Sequence, residues 1–227
     1  MNAVAIELDH LFIMTAVGAP EAERLVEFGL VEGAPNTHPG QGTANRRFFF
    51  NNAFLELVWV ADATEAQSEL VRRTGLWERW AGRSGGASPF GVGLRPAGEQ
   101  GGPIPIPTWE YRPPYLPDPL AIQMGENSDL ATEPLVFYLA FGRRADGFPP
   151  QRRQPLEHPA GLRTITRVKI SGPRHAAPSA TLRAAEAACP GLSFAVADEP
   201  VLEIGFDDDK RGELADFRPD LPLVFGW

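Results

Sequence analysis

The order of the apolar segments restricts the fold of this chain more than any other sequence feature. An alternating segment at Ile6–Met14 predicts a strand, and Pro20 with Glu21 predicts the first turn of a helix. Two further strands are predicted next, and the same strand, helix, strand, strand order returns near the end of the chain. The later segments lie at 46–50, 54–60, 164–171, 178–189, 192–197 and 201–206. We therefore predict an internal duplication within an α+β fold: two βαββ(β) modules form curled mixed sheets around a central cleft, with helices outside.

The predicted modules lie at the two ends of one compact two-module domain. Residues 1–81 hold the N-terminal module and a further helix at 65–80, and residues 161–227 hold the C-terminal module and a tail strand. Residues 82–160 are a Pro/Gly-rich connector with additional strands. Its segment 101–119 carries too many prolines for a helix, so we expect an edge strand, an extended loop or both.

Charge and cysteine content narrow the classes of partner. Lys and Arg number 21 against 29 Asp and Glu, a formal net charge of −8. A general binder of nucleic acid or of anionic membranes needs a basic face, so neither partner is expected. The single cysteine, Cys189, excludes an internal disulfide and a Cys-based zinc site. No apolar run approaches the roughly 18 residues of a membrane span, and no basic residue marks a secretory signal, so we expect a cytoplasmic protein.

Ionisable residues occur at matching places in the two predicted modules. The first strand of each module carries one, His10 and Arg167, and the last strand of each carries a glutamate, Glu56 and Glu203. Lys169 shares a face with Arg167 because side chains alternate along a strand. A buried carboxylate requires a partner or a metal, so we expect these four side chains to line a shared cleft. The alternative is that each simply faces solvent.

Further candidates to line the cleft are aromatic residues and one histidine. Phe12 and Phe54 lie on the predicted strands, and Trp109 and Tyr111 lie in the Pro-rich connector. Aromatic side chains of this kind supply apolar contact area to a ligand. His38, in a Gly/Pro loop, is either an exposed turn residue or a residue at the rim of the cleft.

Short motifs in this order resemble the vicinal oxygen chelate superfamily, which contains glyoxalase I, extradiol dioxygenases and bleomycin-resistance proteins. The first strand carries Leu8-Asp9-His10-Leu11, residues 42–45 read Gly-Thr-Ala-Asn before a strand, and the fourth element carries Phe54-Leu55-Glu56-Leu57. The segment 38–43, His-Pro-Gly-Gln-Gly-Thr, most resembles the glyoxalase-like domain subgroup. The resemblance covers about residues 5–62 and 163–207.

The resemblance implies a set of metal ligands. In metal-dependent members each module gives one ligand from its first strand and one from its last, so the matching residues are His10, Glu56, Glu203 and the residue at 167. Arg167 departs from this pattern because a guanidinium stays protonated and cannot donate a lone pair. One divalent ion (Mn, Fe, Ni, Zn or Mg) on His10, Glu56 and Glu203, or no metal at all, stays open.

Three functions follow from these residues. In the first, a metal-dependent lyase, isomerase or dioxygenase uses Glu56 and Glu203 as catalytic carboxylates. In the second, a metal-free protein of the bleomycin-resistance type binds or sequesters a small organic, anionic molecule, with Arg167 in place of the metal. The third is a scaffold with a vestigial cleft. The expected partner is a small molecule, homodimer formation stays open, and Arg167 is predicted to pair with Glu203, Glu56 or both.

Overall fold

Two β-sheets and five short α-helices are present in the described part of the chain. The computed structural model describes residues 6–98, 103–173 and 177–227. The curled mixed sheets and outer helices of the predicted α+β fold are confirmed. In the described ranges, no helix is long and apolar enough to cross a membrane.

The larger sheet has eight strands, all from residues 6–138. Its strands are β1 (Ile6–Met14), β2 (Asn36–His38), β3 (Thr43–Phe49), β4 (Phe54–Val60), β5 (Phe90–Pro96), β6 (Thr108–Tyr111), β7 (Ile122–Gly125) and β8 (Leu135–Tyr138). Their order across the sheet is β2-β3-β4-β1-β5-β8-β7-β6. Strand β1 is parallel to β4, β5 is parallel to β8, and β1 and β5 pair antiparallel at the centre. The sheet therefore consists of two four-stranded halves with the same strand order.

The smaller sheet has five strands from the C-terminal part of the chain. Its strands are β9 (Ile165–Gly172), β10 (Leu192–Val196), β11 (Val201–Phe206), β12 (Leu214–Asp216) and β13 (Leu223–Gly226), in the order β10-β9-β11-β13-β12. This order differs from that of β1–β4. Strand β11 is antiparallel to β9, whereas β4 is parallel to β1, and β10 pairs directly with β9. The predicted equivalence of the N-terminal and C-terminal modules therefore does not extend to strand direction.

The connector supplies half of the larger sheet. Residues 82–160, predicted to add strands, contain β5 to β8. Strand β6 lies at the edge of the sheet, and residues 103–107 and 112–119 on either side of it are loop, so the Pro-rich segment is both edge strand and loop, since proline removes ladder donors. Residues 101–102 of that segment lie outside the described residues.

The helices are shorter than the sequence predicts. They are α1 (Ala22–Phe28), α2 (Ala63–Ala66), α3 (Glu69–Arg72), α4 (Leu76–Gly82) and α5 (Ala180–Ala188). The single helix predicted at 65–80 is instead three short helices, α2 to α4. The break before α4 lies at Gly75, which adopts φ +67° and where a Cβ would lie 2.2 Å from the Ser128 carbonyl oxygen. A helix cannot continue through that left-handed residue.

Apolar side chains cover both faces of the eight-stranded sheet. On one face, which we call the core face, residues such as Leu11, Leu55 and Val92 form one cluster with α1, α5 and the apolar side of the five-stranded sheet. On the opposite face, which we call the cavity face, Phe12 and Phe137 belong to a second cluster. The alternation of side chains along each strand thus divides the apolar residues between a core and a second, separate layer.

Candidate functional site

A cavity of about 200 Å³ opens on the cavity face of the eight-stranded sheet. Apolar side chains from β1, β4, β7 and β8 form most of its wall. They include Phe12, Phe54, Val58, Ile122, Met124, Leu135 and Phe137. Polar side chains from β1 to β4, from β6 and from the loops beside these strands complete it: His10, Asn36, His38, Gln41, Thr43, Arg47, Glu56, Tyr111 and Tyr115. An apolar chamber with a few convergent polar groups is typical of small-molecule sites.

Two glycines on β5 make room for the rings that line the cavity. Gly91 pairs with Phe12 and Gly93 pairs with His10 across the β1–β5 ladder. A Cβ at Gly91 would lie 2.0 Å from the Phe12 ring, and one at Gly93 would lie 3.0 Å from the His10 ring and 2.9 Å from Phe137. The close approach of these rings to the β5 backbone therefore requires glycine.

His10 is oriented by a buried carboxylate beside it. Asp9 is the extra residue of a bulge in β1, since Leu8 pairs with Leu94 but His10 pairs with Gly93. A bulge changes the direction of side chains, and here the Asp9 carboxylate accepts a hydrogen bond from His10 Nδ1 at 2.7 Å. The other Asp9 oxygen lies 3.6 Å from Nε of the buried Arg95. Because an ionised carboxylate can only accept, Nδ1 carries the proton and Nε2 faces the cavity.

Glu56 faces His10 from the neighbouring strand. Its Oε2 lies 4.0 Å from His10 Nε2, and its Oε1 accepts a hydrogen bond from Asn45 at 2.9 Å. Burial lowers the pKa of His10, but Glu56 and Asp9 together outweigh it, so the net pKa is raised above the ordinary value of 6.5. The His10 ring stacks on Phe54 at a centroid distance of 4.6 Å, because the two residues are partners in the β1–β4 ladder.

The rim is a hydrogen-bonded group of polar side chains. His38 Nδ1 lies 2.8 Å from Thr43 Oγ1, which also accepts from Gln41. Tyr115 donates to Gln41 at 3.3 Å, and its ring lies 4.8 Å from the His38 ring. Burial lowers the pKa of His38 and raises that of Tyr115, so both are neutral at neutral pH.

Two further polar side chains of the cavity, Tyr111 and Arg47, make no hydrogen bond or ion pair with another side chain of the described residues. Tyr111 is 2% exposed, and its hydroxyl has no hydrogen-bond partner in the described part of the chain. The Arg47 guanidinium donates to the carbonyls of Ala34 and Pro35 and forms no ion pair with any carboxylate of the described ranges. Burial lowers the pKa of Arg47, but a guanidinium keeps its charge at neutral pH. Both groups can therefore contact a ligand.

The structure brings together six of the residues that the sequence predicts for the site. His10, Phe12, His38, Phe54, Glu56 and Tyr111 line the same cavity. Sequence reasoning missed Asp9, Arg47 and Tyr115. Strand periodicity could have found Arg47, because Thr43, Asn45 and Arg47 alternate on the same face of β3 as cavity residues.

The prediction of a shared cleft is wrong for three residues, Glu203, Arg167 and Lys169. All three lie on the five-stranded sheet, and none lines the cavity. Glu203 is the cross-strand partner of Lys169 and pairs with its Nζ at 2.7 Å. Arg167, whose side chain is 42% exposed, pairs with Asp209 at 3.1 Å and reaches Glu203 only at 4.0 Å. The predicted pairing of Arg167 with Glu203 is thus a long contact, and its predicted pairing with Glu56 does not occur.

The error has a specific cause. The sequences around Glu56 and Glu203 look alike because both are strands with apolar residues on either side of a glutamate. That pattern reports alternation but not strand direction, and β4 and β11 run in opposite senses relative to their first strands. Trp109 is a further correction: its Nε1 donates to Ser128 and its ring packs under Arg73, so it stands beside Tyr111 and does not line the cavity.

The residues present do not fit the predicted three-ligand metal site. Glu203 lies on the other sheet, and Asp9 is engaged by His10 and Arg95. In the second half of the eight-stranded sheet, β8 lines the cavity with the apolar Leu135 and Phe137, and Gly91 and Gly93 of β5 carry no donor side chain. Among the described residues, no group of three or more His, Cys, Asp or Glu side chains is placed to hold a metal ion. His10 and Glu56 alone leave a divalent ion short of its usual four or more ligands.

Paired four-stranded halves around a cavity, with His10 on the first strand and Glu56 on the fourth, define a protein of the vicinal oxygen chelate class. The profile of the glyoxalase-like domain matches residues 8–186, most of the chain, and the chain belongs to that family. No curated protein sequence matches it. A crystal structure of a hypothetical protein from Staphylococcus aureus is similar, with a TM-score of 0.48 and 11% sequence identity over 97% of this chain and 98% of that one.

Proposed function

We propose that this protein binds a small organic molecule in the His10 cavity without a metal ion. The ligand has an apolar, ring-sized body and an acidic group. The observation that carries the proposal is the composition of the cavity wall, which is aromatic and aliphatic except for a few polar groups. A cavity of roughly 150 Å³ can hold benzene, so about 200 Å³ suits one substituted ring.

Arg47 is the residue that indicates an acidic group on the proposed ligand. This role was expected for Arg167, which lies on the other sheet. Arg47 lines the cavity and forms no ion pair with the carboxylates of the described residues. A guanidinium matches the geometry of a carboxylate and binds it in bidentate fashion.

The metal-free form of the proposal is supported by the donor set. His10 Nδ1 is bound to Asp9, and Glu56 Oε1 is bound to Asn45, so each would give a metal at most one free donor atom. The apolar residues opposite them, Leu135 and Phe137, favour contact with the ligand body.

Calorimetric titration with 4-phenylbutanoate tests the proposal. We expect binding to the wild type and its loss in Ile122→Trp, which fills the cavity, while the control Ile104→Trp binds normally because Ile104 does not line the cavity. Arg47→Gln is expected to weaken the binding of 4-phenylbutanoate by about 10-fold or more, since a charged hydrogen bond is worth about 1.5–3 kcal/mol. The binding of 4-phenylbutan-1-ol, which has no carboxylate, should be unchanged.

Treatment with EDTA tests the metal-free form. We expect elemental analysis of protein purified without chelator to find no stoichiometric metal, and EDTA to leave binding unchanged. Binding that EDTA abolishes and Mn, Fe, Ni or Zn restores would instead support the metal-dependent enzyme. Equal binding to the wild type and Ile122→Trp would place the ligand outside this cavity.

A further inference from the structure

The cavity contains an oriented base in an apolar surrounding. Asp9 fixes the His10 tautomer, so that the unprotonated Nε2 of the neutral ring faces the cavity. The buried Arg95 lies on the other side of Asp9, with its Nε 3.6 Å from the second Asp9 oxygen. Glu56 at 4.0 Å stabilises the imidazolium that forms when Nε2 takes up a proton. A carboxylate that orients a histidine in this way is the arrangement of a general base.

The Tyr111 hydroxyl supplies the second half of a reaction site. It is buried among apolar residues of the cavity and has no hydrogen-bond partner among the described residues. Burial raises its pKa, so it stays a phenol and donates a hydrogen bond. A buried donor without a partner costs about 1–3 kcal/mol, and a ligand oxygen would remove that cost.

We infer that His10 transfers a proton at the carbon next to a ligand carbonyl group whose oxygen is bound by Tyr111, without a metal. The inference rests on the proposed ligand site and names its substrate class, ring-bearing 2-oxo acids or the corresponding ketones. His10 Nε2 accepts the α-proton, the electrons of the C–H bond form the C=C bond of an enolate, and the carbonyl π electrons move to the oxygen. Return of a proton from Nε2 to carbon restores the substrate or yields its isomer.

Tyr111 and Glu56 act on different charges in this step. The hydroxyl stabilises negative charge as it develops on the enolate oxygen, which is the arrangement that oxyanion stabilisation requires. Glu56, with Asp9, stabilises positive charge on the imidazole, while Arg47 opposes it. The uncharged His38 ring lies on the same wall but is held by Thr43. Apolar groups around the site exclude water and strengthen each of these interactions.

Two related probes separate the inference from the proposed function. The compound 4-phenylbutanoate has the ring and carboxylate, and 2-oxo-4-phenylbutanoate adds the ketone. Proton NMR in D₂O follows exchange of the C3 protons of the keto acid. We expect the protein to accelerate exchange at least 100-fold over buffer, in line with general-base catalysis, and His10→Asn to lose this acceleration.

Variants of Asp9 and Tyr111 test the two halves of the site. Asp9→Asn should slow exchange and leave the affinity for 4-phenylbutanoate unchanged, because the His10 ring loses the carboxylate that orients it. Tyr111→Phe should slow exchange about 10- to 100-fold and should weaken binding of the keto acid more than binding of 4-phenylbutanoate. Tyr138→Phe is the matched control, since Tyr138 is buried on the core face.

The outcomes are distinct. Failure of 4-phenylbutanoate to bind would refute the proposed function. Binding of both probes without accelerated exchange would refute the inference and leave the binding site intact. An unchanged affinity ratio in Tyr111→Phe would exclude Tyr111 as the carbonyl donor. Loss of exchange in a folded His10→Asn protein that still binds 4-phenylbutanoate would establish His10 as the base.

Discussion

At the scale of single residues, a chain of alternating charges crosses the centre of the eight-stranded sheet. Arg95 binds Glu7 at 2.6 Å and approaches Asp9, which binds His10, which faces Glu56. Each buried charge in this chain has an opposite charge beside it, which a low-dielectric interior requires. The charges on the five-stranded sheet are different in kind, because Arg167 and its partners are all partly exposed. Burial, rather than the number of ion pairs, therefore determines which charges matter to stability.

Replacing one arginine in each group tests this difference. Arg95→Ala should lower the free energy of unfolding by about 3–5 kcal/mol, because it leaves the buried Asp9 carboxylate without the guanidinium beside it. Arg167→Ala should cost less than about 1 kcal/mol, because exposed ion pairs contribute little. Urea denaturation of both variants measures the two values. A large loss in Arg167→Ala would mean that this side chain is buried, as the sequence first suggested.

The raised pKa of His10 predicts a pH-dependent contribution to stability. Folded His10 binds a proton more tightly than unfolded His10, so its contribution is fully present below the unfolded pKa of about 6.5 and is lost as pH rises through the folded pKa. The melting temperature of His10→Gln should therefore fall furthest below the wild type at about pH 6 and approach it towards pH 9. Thermal melts across this range measure the trend.

His158 provides a control, because its contribution to stability should change with pH in the direction opposite to that of His10. Burial lowers its pKa, and its Nδ1 accepts from the Val31 amide while Nε2 donates to the Phe49 carbonyl, so the neutral ring is the stable form. Its contribution is present above the unfolded pKa and is lost as pH falls towards the folded value. The difference in melting temperature between the wild type and His158→Gln should therefore become smaller at low pH. Parallel trends for the two variants would contradict the assignment for His10.

At the scale of elements, the sequence predicts strands better than it predicts their partners. The bounds of β1, β4 and β11 follow from alternation alone and agree with the structure. Alternation also places His10, Phe12 and Glu56 on the cavity side of their strands. Strand direction and pairing depend on contacts between distant segments, which no local pattern records, so Glu203 was assigned to the wrong cleft. The bulge at Asp9 was unpredictable for the same reason, since it is defined by the register of β1 against β5.

Strand β5 offers a test of how the cavity is formed. Gly93→Ala places a Cβ about 3 Å from His10 and Phe137, so one of the two rings must move. We expect a loss of about 1–3 kcal/mol in stability and weaker binding of 4-phenylbutanoate. Gly147→Ala is the control, because a Cβ there meets no described atom within 4 Å. Unchanged binding in Gly93→Ala would mean that β5 does not limit the cavity; calorimetry and urea denaturation measure both effects.

At the scale of the whole molecule, the two sheets share one apolar core while only the larger sheet carries the cavity. The ring centroids of Phe206, on β11, and Phe50, next to β3, are 4.7 Å apart, and both residues belong to the cluster on the core face. Asn52 joins the sheets further, since its side chain donates to the Ile165 carbonyl and accepts from the Ile165 amide. The five-stranded sheet therefore supports the site from behind by covering the apolar back of the strands that carry it.

A substitution behind the cavity tests whether the sheets unfold together. Phe206→Ala removes a fully buried ring from the shared core and should cost about 3–5 kcal/mol. If the core is shared, amide hydrogen exchange should accelerate by the same factor in β1 and in β9, because both open only in the global transition. Leu214→Ala, at an exposed position on β12, is the control and should leave both rates unchanged. Acceleration confined to β9–β13 would instead show two independent folding units, and the cavity sheet would then be stable without its partner.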